Sequence, residues 1–477
     1  MATVKSWKWN DPSAPKFPKE FEILQKAVLQ VTDIKSNHNK YYAIELHSGK
    51  QKGKTIFRVF THYGRTDDLE TNPDAGQKEC RFFNNLIEAK NCYESIYREK
   101  TSPRKGYKEV SLASSKIGSQ QARGTSSGEI DEGTLAKIQG SEGALVSKPK
   151  SELPERVQYL VRYIYDEATQ ALTNTLAAKI TAHGIETPLG ILTLGQIEKG
   201  EEILMQIYQL FQKKKKKPAE FERLSGEFYT AIPHRIGRSR SAVNNAIINN
   251  LTAIEQKQNI LQLMKDMLQV NGEGGSVLFN AKIDQEYQAL GCEIRDIPRE
   301  SDEYKKLAEY VLKSQIKTNH LKIKAIYGLK RPSEWDQFKT DLGNERLLFH
   351  GSRIQNWVGI LSRGILLPKI VVSMGVNRTD EGWLGSGIYF GDAVCTSHFY
   401  ATAGKHKTKL IALARVALGK IKTYREITYG LKAPPKGYHS CHGVRCTDED
   451  FSEFDDDEFV IYQTEQQRLE YLVEVSG

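Results

Sequence analysis

The chain has 477 residues, with 68 Lys and Arg against 59 Asp and Glu, a net charge of +9 and 39% hydrophobic residues. At roughly 100–200 residues per domain this length fits about three domains, and no apolar run approaches the ~20 residues that cross a bilayer or the apolar core of a signal peptide. The six cysteines are scattered, which suits a reducing compartment better than a disulfide framework, so an intracellular protein without membrane contact is expected.

Residues 1–110 carry 20 Lys and Arg against 14 Asp and Glu, so about +6 of the net charge lies in under a quarter of the chain. That excess can bind phosphate or simply form a soluble basic surface. Tyr42, Ile44 and Leu46 alternate onto one face, and Thr55 to Tyr63 predicts a second, neighbouring antiparallel strand. After a turn-rich stretch from Asp67 to Gly76, Phe82, Phe83, Leu86, Ala89, Tyr93, Ile96 and Tyr97 follow helical spacing. Asn37-x-Asn39-Lys40-Tyr41-Tyr42, Tyr63-Gly64-Arg65 and Arg98-Glu99-Lys100-Thr101 together resemble the WGR domain, named for its Trp-Gly-Arg, with Tyr63 standing where the family has Trp. The resemblance implies binding of DNA ends and exposed 5′ phosphates, with Arg65, Lys40 and Tyr63 as contact residues. Arg58 and Lys105 are further candidates, and a protein–protein module is the alternative.

From residue 111 to 149 the composition turns to Ser, Gly, Gln, Ala and Thr, and a flexible linker is expected. Its Ser126, Ser127, Glu129, Asp131 and Glu132 are candidate acceptors for self-modification, the alternative being an inert tether. Residues 150–272 carry three amphipathic stripes: Leu153, Val157, Leu160, Val161 and Ile164; then, after the cap candidate Thr193, Ile197, Leu204, Ile207, Tyr208 and Phe211; then Leu251, Ile254, Leu261, Met264 and Leu268. They predict a helical bundle. Lys213 to Lys217 is a basic run that reads as a solvated loop or a nuclear targeting signal. Pro188-Leu189-Gly190-x-Leu192 and Phe228-Tyr229-Thr230-x-Ile232-Pro233-His234 resemble the regulatory helical domain of DNA-dependent poly(ADP-ribose) polymerases, with His234 structural. In that family the domain covers the NAD+ site and loosens when DNA binds, so deletion of Ser151 to Gly272 is expected to raise basal activity.

Residues 275–477 read as a mixed domain: Tyr304 to Leu312 predicts a helix, Leu321 to Ile326 a strand, and Leu410 to Val416 another. Within it, Leu347-Leu348-Phe349-His350-Gly351-Ser352-Arg353, Gly385-Ser386-Gly387-Ile388-Tyr389-Phe390 and Asp457-Glu458-Phe459-Val460-Ile461-Tyr462 each put a polar residue at a strand tip, two of them beside glycine. In this order, with Val416-Ala417-Leu418-Gly419 and Leu431-x-x-Pro434-x-x-Gly437 between them, they resemble the His-Tyr-Glu signature of the poly(ADP-ribose) polymerases. The implied fold is multidomain α+β: a WGR-like antiparallel sheet plus helix, an all-α bundle, then an ADP-ribosyltransferase fold with a split antiparallel sheet.

The family's chemistry transfers ADP-ribose from NAD+, the substrate, to protein acceptors including the enzyme itself, and no metal is expected. Nicotinamide leaves as a neutral ring, so one carboxylate beside an oxocarbenium-like ribose suffices. The resemblance gives Glu458 the ribose 2′-hydroxyl and the acceptor, and His350 the orientation of the same ribose. It gives Tyr389 and Tyr400 the two faces of the nicotinamide ring, Gly351 and Ser397 its carboxamide, and Ser352 the adenosine ribose. Ile370 to Leu384 is expected to cover the adenine side. Elongation of poly(ADP-ribose) in response to DNA breaks is expected, in the nucleus of a eukaryote or the nucleoid or cytoplasm of a bacterium. Single transfer, a non-catalytic DNA-end scaffold and NAD+ hydrolysis are the alternatives. Two departures bear on the product: Thr396 stands where elongating members have Lys, and the segment from Gly443 to Glu458 is short and acidic. His439, Cys441, His442 and Cys446 look superficially like zinc ligands but lack a second pair at finger spacing, and no Gly-x-Gly-x-x-Gly follows an early strand, which disfavours a Rossmann dehydrogenase.

Overall fold

The computed structural model describes residues 4–128, 151–176, 179–181, 184–213, 217–273, 282–317, 320–365, 367 and 382–477. The chain divides into two compact units, Met1–Ala144 with Ala171–Asn271, and Leu145–Gln170 with Gly272–Gly477. These units do not follow the domain limits expected at 110, 150 and 272.

In the first unit, β1 (Trp7–Lys8), β2 (Glu22–Asp33), β3 (His38–Gln51), β4 (Lys54–Arg65), β5 (Gln77–Phe83) and β6 (Lys108–Glu109) form, among the described residues, an antiparallel sheet in the order β1-β5-β4-β3-β2-β6. Helix α1 (Leu86–Thr101) starts at Asn85, whose side chain accepts from the N–H groups of Ile87 and Glu88. Phe82 and Phe83, expected on that helix, therefore end β5 instead. Ala89 and Tyr93 of α1 pack on Leu29, Tyr42, Ile44, Leu46 and Val59.

The sequence predicted one buried face for β3, yet Tyr41, Ala43, Glu45 and His47 on the other face are buried too. The cover is the chain expected to be a linker. Over residues 111–128, Leu112, Ala113, Ile117 and Ala122 are buried, Ser119 donates its N–H and Oγ–H to Glu45 at 2.9 and 2.5 Å, and Lys26 Nζ donates to Ala122 O at 2.6 Å. Ser127, one candidate acceptor, is itself buried and pairs with Leu112, whereas Glu129, Asp131 and Glu132 lie outside the described residues. The linker expectation is thus corrected for 111–128, where a handful of apolar residues and one buried carboxylate outweigh a Ser- and Gly-rich composition.

The expected helices are present, the first of them running from the second unit into the first, with an addition. Helices α2 (Glu155–Leu176), α3 (Leu194–Gln212), α4 (Pro218–Ala231), α5 (Arg240–Asn245) and α6 (Leu251–Glu273) bury Val157, Leu160, Val161, Ile164, Ile197, Leu204, Ile207, Tyr208, Ile254, Leu261 and Met264. Thr193 caps α3 by accepting from Gln196 N–H at 3.2 Å. Lys214 to Lys216 of the basic run lie outside the described residues. The region is not all-α: β7 (Leu112–Ser115), β8 (Lys179–Thr181), β9 (Gly184–Glu186) and β10 (Gly190–Leu192) form a sheet in the order β7-β10-β9-β8. His234 is buried and donates from Nδ1 to Ile232 O at 2.6 Å.

In the second unit, β11 (Glu293–Asp296), β12 (Lys322–Lys330), β13 (Glu345–Gly351), β14 (Ile388–Gly391), β15 (Lys409–Ala417), β16 (Ile421–Tyr424), β17 (Ser440–Gly443), β18 (Glu458–Ile461) and β19 (Gln467–Ser476) form one sheet in the order β11-β12-β19-β15-β13-β14-β18-β17-β16. Its pairs are antiparallel except β16 with β17. Helices α7 (Lys282–Ala289), α8 (Asp302–Lys313), α9 (Pro332–Gln337), α10 (Trp357–Arg363) and α11 (Val394–Tyr400) accompany it. Leu307 and Val311 of α8 join Phe349, Ile411, Leu413, Val473 and Val475 in the core. The sheet is split as expected, and the split lies between β13 and β14, whose register is a single pair, Phe349 opposite Gly391. Among the described residues no helix is long and apolar enough to cross a membrane.

Candidate active site and basic groove

The seam between β13 and β14 gathers the three signature residues. His350 follows Phe349 on β13, Tyr389 lies on β14 two residues before Gly391, and Glu458 opens β18 directly opposite Gly391. They are thus carried by three consecutive strands of the sheet.

Each is held differently. His350 is half-buried, and its Nδ1 meets Tyr389 O at 2.9 Å. A carbonyl only accepts, so Nδ1 carries the proton. Burial holds the imidazole below its ordinary range despite that bond, so the ring is neutral and Nε2 presents a lone pair. The Tyr389 hydroxyl accepts from Leu384 N–H at 3.0 Å and donates to Gly385 O at 2.7 Å, which fixes the ring. Glu458 is 8% exposed. Among the described residues no hydrogen bond or ion pair engages its carboxylate, and burial, then Asp456 and Asp455, push it up to about 7.

The surrounding carboxylates are, by contrast, paired. Asp457 accepts from His442 Nε2 at 2.6 Å and from Arg445 N–H at 3.2 Å. Asp456 pairs with Lys317 at 2.8 Å, and Asp392 with Arg445 at 2.9 Å. Glu458 is not the solvated end of an acidic run but its one buried member left without a cation among the described residues.

The remaining expected contacts cluster around Gly351. A Cβ added there would lie 1.9 Å from Ser397 O, so only glycine lets β13 press against α11. That contact sets the Gly351 backbone beside buried Ser397. Tyr400, at the end of α11, is 59% exposed; burial of its phenol, then Glu458 and Asp456, push its titration upward. Ser352 Oγ accepts from Asn356 Nδ2 at 3.1 Å. The adenine-side loop lies outside the described residues over 370–381. Sequence reading missed the pairing of Lys317 with Asp456, the pairing of Arg445 with Asp457 and the bond from His442 to Asp457. The superficial zinc set does not converge: His439 Nδ1 accepts from Lys420 N–H at 3.0 Å, Cys441 is buried in the apolar core, and Cys446 is exposed. Among the described residues no group of His, Cys, Asp and Glu is placed to hold a metal.

In the first unit, Lys40, Tyr63, Arg65 and Lys105 line one groove of about 860 Å³, where Arg81, Lys100 and Arg104 give the cations a small excess over Asp33, Asp68, Glu79 and Glu99. Lys40 and Arg65 are cross-strand partners. Tyr63 stacks on Tyr42 at 5.2 Å with an interplanar angle of 11° and donates to Glu79 at 2.7 Å. Arg65 is already engaged: it donates to Asp67 Oδ2 at 2.8 Å, to Asn37 O at 2.8 Å and to Gly237 O at 3.5 Å. Arg58 is a correction. It is 5% exposed, bonds His47 Nδ1 at 3.1 and 3.0 Å, and lies over the rings of Trp9, Phe17 and Phe21, so it cannot meet a phosphate.

Comparison with known proteins agrees with this layout. The poly(ADP-ribose) polymerase catalytic domain matches residues 301–477, the poly(ADP-ribose) polymerase regulatory domain 151–272, and the WGR domain 25–114. The chain is 36% identical over 322 residues to protein mono-ADP-ribosyltransferase PARP4 of Mus musculus, covering 67% of this chain and 15% of that protein. It is 30% identical over 468 residues to its Homo sapiens namesake, covering 97% of this chain and 24% of that protein. It is 28% identical over 436 residues to poly [ADP-ribose] polymerase 2 of Homo sapiens, covering 87% and 69%. The chain thus spans 15% and 24% of the two PARP4 proteins. With a WGR domain, a regulatory domain and a catalytic domain in that order, and with the His-Tyr-Glu residues on adjoining strands, the chain belongs to the poly(ADP-ribose) polymerase family.

Proposed function

We propose that the chain is an NAD+ ADP-ribosyltransferase that modifies protein acceptors, itself among them, and that DNA ends held in the basic groove stimulate it. The observation that carries the reading is the seam of the split sheet, where a neutral histidine, a pinned tyrosine and an unpaired buried carboxylate share three consecutive strands. On this reading His350 Nε2 accepts from a ribose hydroxyl and orients the sugar. The Gly351 backbone and Ser397 Oγ hold the nicotinamide carboxamide, Tyr389 and Tyr400 flank its ring, and Ser352 meets the adenosine ribose.

The acceptor oxygen attacks C1′ of the ribose as the C1′–N bond breaks, and that bond's electron pair goes to the departing ring. A hydroxyl acceptor gives its proton to Glu458, whereas a carboxylate acceptor attacks without one. Only ionised Glu458 can take that proton and stabilise the oxocarbenium-like sugar. Raised to about 7 by burial, then by Asp456 and Asp455, Glu458 holds its proton more tightly than an ordinary carboxylate before NAD+ enters, and the pyridinium charge of the substrate favours the ionised form.

Of the two products, single transfer is the better supported. Elongation would bring the pyrophosphate dianion of a growing chain against Asp455 and Asp456, whose charge already opposes ionisation of Glu458. Thr396, in place of the lysine of elongating members, is buried and offers no cation. The names of the PARP4 relatives point the same way. A DNA-end-responsive transferase would act in the nucleus of a eukaryotic cell.

Incubating the chain with labelled NAD+, with and without broken DNA, beside Glu458→Gln, tests all of this. Label on the chain, increased by DNA and lost in the variant, is expected, and one discrete shift on a gel rather than a ladder. Nicotinamide release with no labelled protein would make it a hydrolase; DNA binding with no turnover would leave a scaffold.

A further inference from the structure

The first helix of the matched regulatory domain folds in part with the catalytic unit. Residues up to Gln170 belong to the second unit, and Tyr159, Tyr163, Asp166 and Glu167 of α2 in that stretch converge on residues 404–408. This short segment leaves α11, which carries Ser397 and Tyr400, and enters β15, whose Ile411 and Ala412 pair with Gly351 and His350. It is one step from the reacting groups on both sides.

The contacts are specific. Tyr163, 1% exposed, donates its hydroxyl to Thr408 O at 3.0 Å. Thr408 Oγ1 donates to Glu474 Oε1 at 2.7 Å, and Tyr159 donates to the same oxygen at 3.2 Å. Glu474 is 3% exposed on β19, and such donors offset the cost of burying its carboxylate. The His406 ring lies 5.3 Å from that of Tyr159 and 4.6 Å from that of Tyr163. Glu167 accepts from Lys405 N–H at 2.6 Å, and Asp166 pairs with Lys405 Nζ at 2.5 Å. At Gly404 an added Cβ would lie 2.7 Å from Glu167 Oε1, so the helix sits directly on bare backbone.

We infer that this part of α2 is a clamp that sets residues 401–408 and, through them, α11, which makes Tyr163 a positioning residue for NAD+ binding. The NAD+ clause rests on the function proposed above; the clamp itself does not. Thr408 is the joint of the clamp, touched by Tyr163 at its carbonyl and, at 3.3 Å, at its hydroxyl, which is also tied to Glu474.

The test is Tyr163→Phe in the full chain, which keeps the ring against His406 and removes one hydroxyl. Loss of one such bond predicts a KM for NAD+ raised about 3- to 10-fold with kcat within about twofold. Tryptic cleavage after Lys405 and Lys407 should accelerate by a similar factor. Thr408→Val should show the same KM shift, and Thr408→Ser should restore it. Unchanged KM and unchanged cleavage in Tyr163→Phe overturn the inference, as does a lowered melting temperature with KM unmoved. Should the wild-type chain turn over no NAD+, the functional reading fails while cleavage still decides the clamp: faster cleavage supports it and an unchanged rate overturns it.

Discussion

The seam of the catalytic sheet and the basic groove of the N-terminal sheet hold their polar residues in opposite ways. At the seam the reactive atoms are left over: His350 Nε2 and the Glu458 carboxylate remain available after the strands have taken their bonds. In the groove, the arginine expected to meet phosphate is spent on Asp67, Asn37 and Gly237. A site built for chemistry keeps unsatisfied groups in place at a cost in stability, whereas a charged surface satisfies its groups and binds by exchanging partners. The contrast is open to measurement, beginning where the effect should be largest.

Glu458→Gln keeps the volume and removes the charge. Nicotinamide release should fall about 10³-fold in kcat, about 4 kcal/mol of transition-state stabilisation, with the KM for NAD+ little changed. A fall in KM-dependent terms alone would mean that Glu458 only binds substrate.

Arg58 sharpens the other side of the comparison. Its guanidinium donates to neutral His47, whose Nε2–H donates in turn to Glu45 at 2.7 Å. Burial holds His47 below its ordinary range, so the ring relays between two buried charges without carrying one. Arg58→Ala should lose about 3 kcal/mol in a denaturant titration, because the carboxylate at the far end of the relay stays buried. A variant of wild-type stability with weakened DNA binding would return Arg58 to the groove.

The legibility of the two regions differed for the same reason. His350, Tyr389 and Glu458 were legible through the resemblance of their flanking motifs, in order, to one family signature, and each lies at or next to the end of a short strand. Their meeting follows once those strands pair. Arg58 could not be read, because the rings of Trp9 and Phe17 that cover it come from a stretch with no period. Ser119 reaches Glu45 across 74 residues, and Arg65 reaches Gly237 across 172; no local pattern announces either. The same limit affects the proposed deletion of 151–272: it would remove Tyr159 and Tyr163 from the catalytic unit, so a cut confined to residues after 170 is the cleaner test of inhibition.

The raised titration of Glu458 predicts a pH signature. Below the ordinary value of 4.5 the group is protonated whether the chain is folded or not, and nothing changes. Between 4.5 and about 7 the unfolded chain releases its proton first, so stability falls as pH rises, by up to about 3 kcal/mol, and levels above 7. Glu458→Gln should flatten that part of the wild-type curve in parallel denaturant titrations. Transferase activity should run the other way, climbing through pH 7 as the carboxylate ionises; a rate that falls across this range would assign the proton to another group.

The smallest effect belongs to the groove. Lys40 lines it with Lys100, Arg104 and Lys105, and no ion pair engages Lys40 among the described residues, so it can meet a phosphate without first losing a partner. Lys40→Ala should weaken binding of a DNA end by about 1 kcal/mol and lower the slope of log affinity against log salt by about 0.9. Arg65→Ala should change that slope less, because every phosphate bond Arg65 gains is offset by one surrendered to Asp67. Equal slopes for the two variants would mean that Arg65 leaves Asp67 freely, and the groove would then resemble the catalytic seam, with Arg65 as available as Lys40 before the ligand arrives.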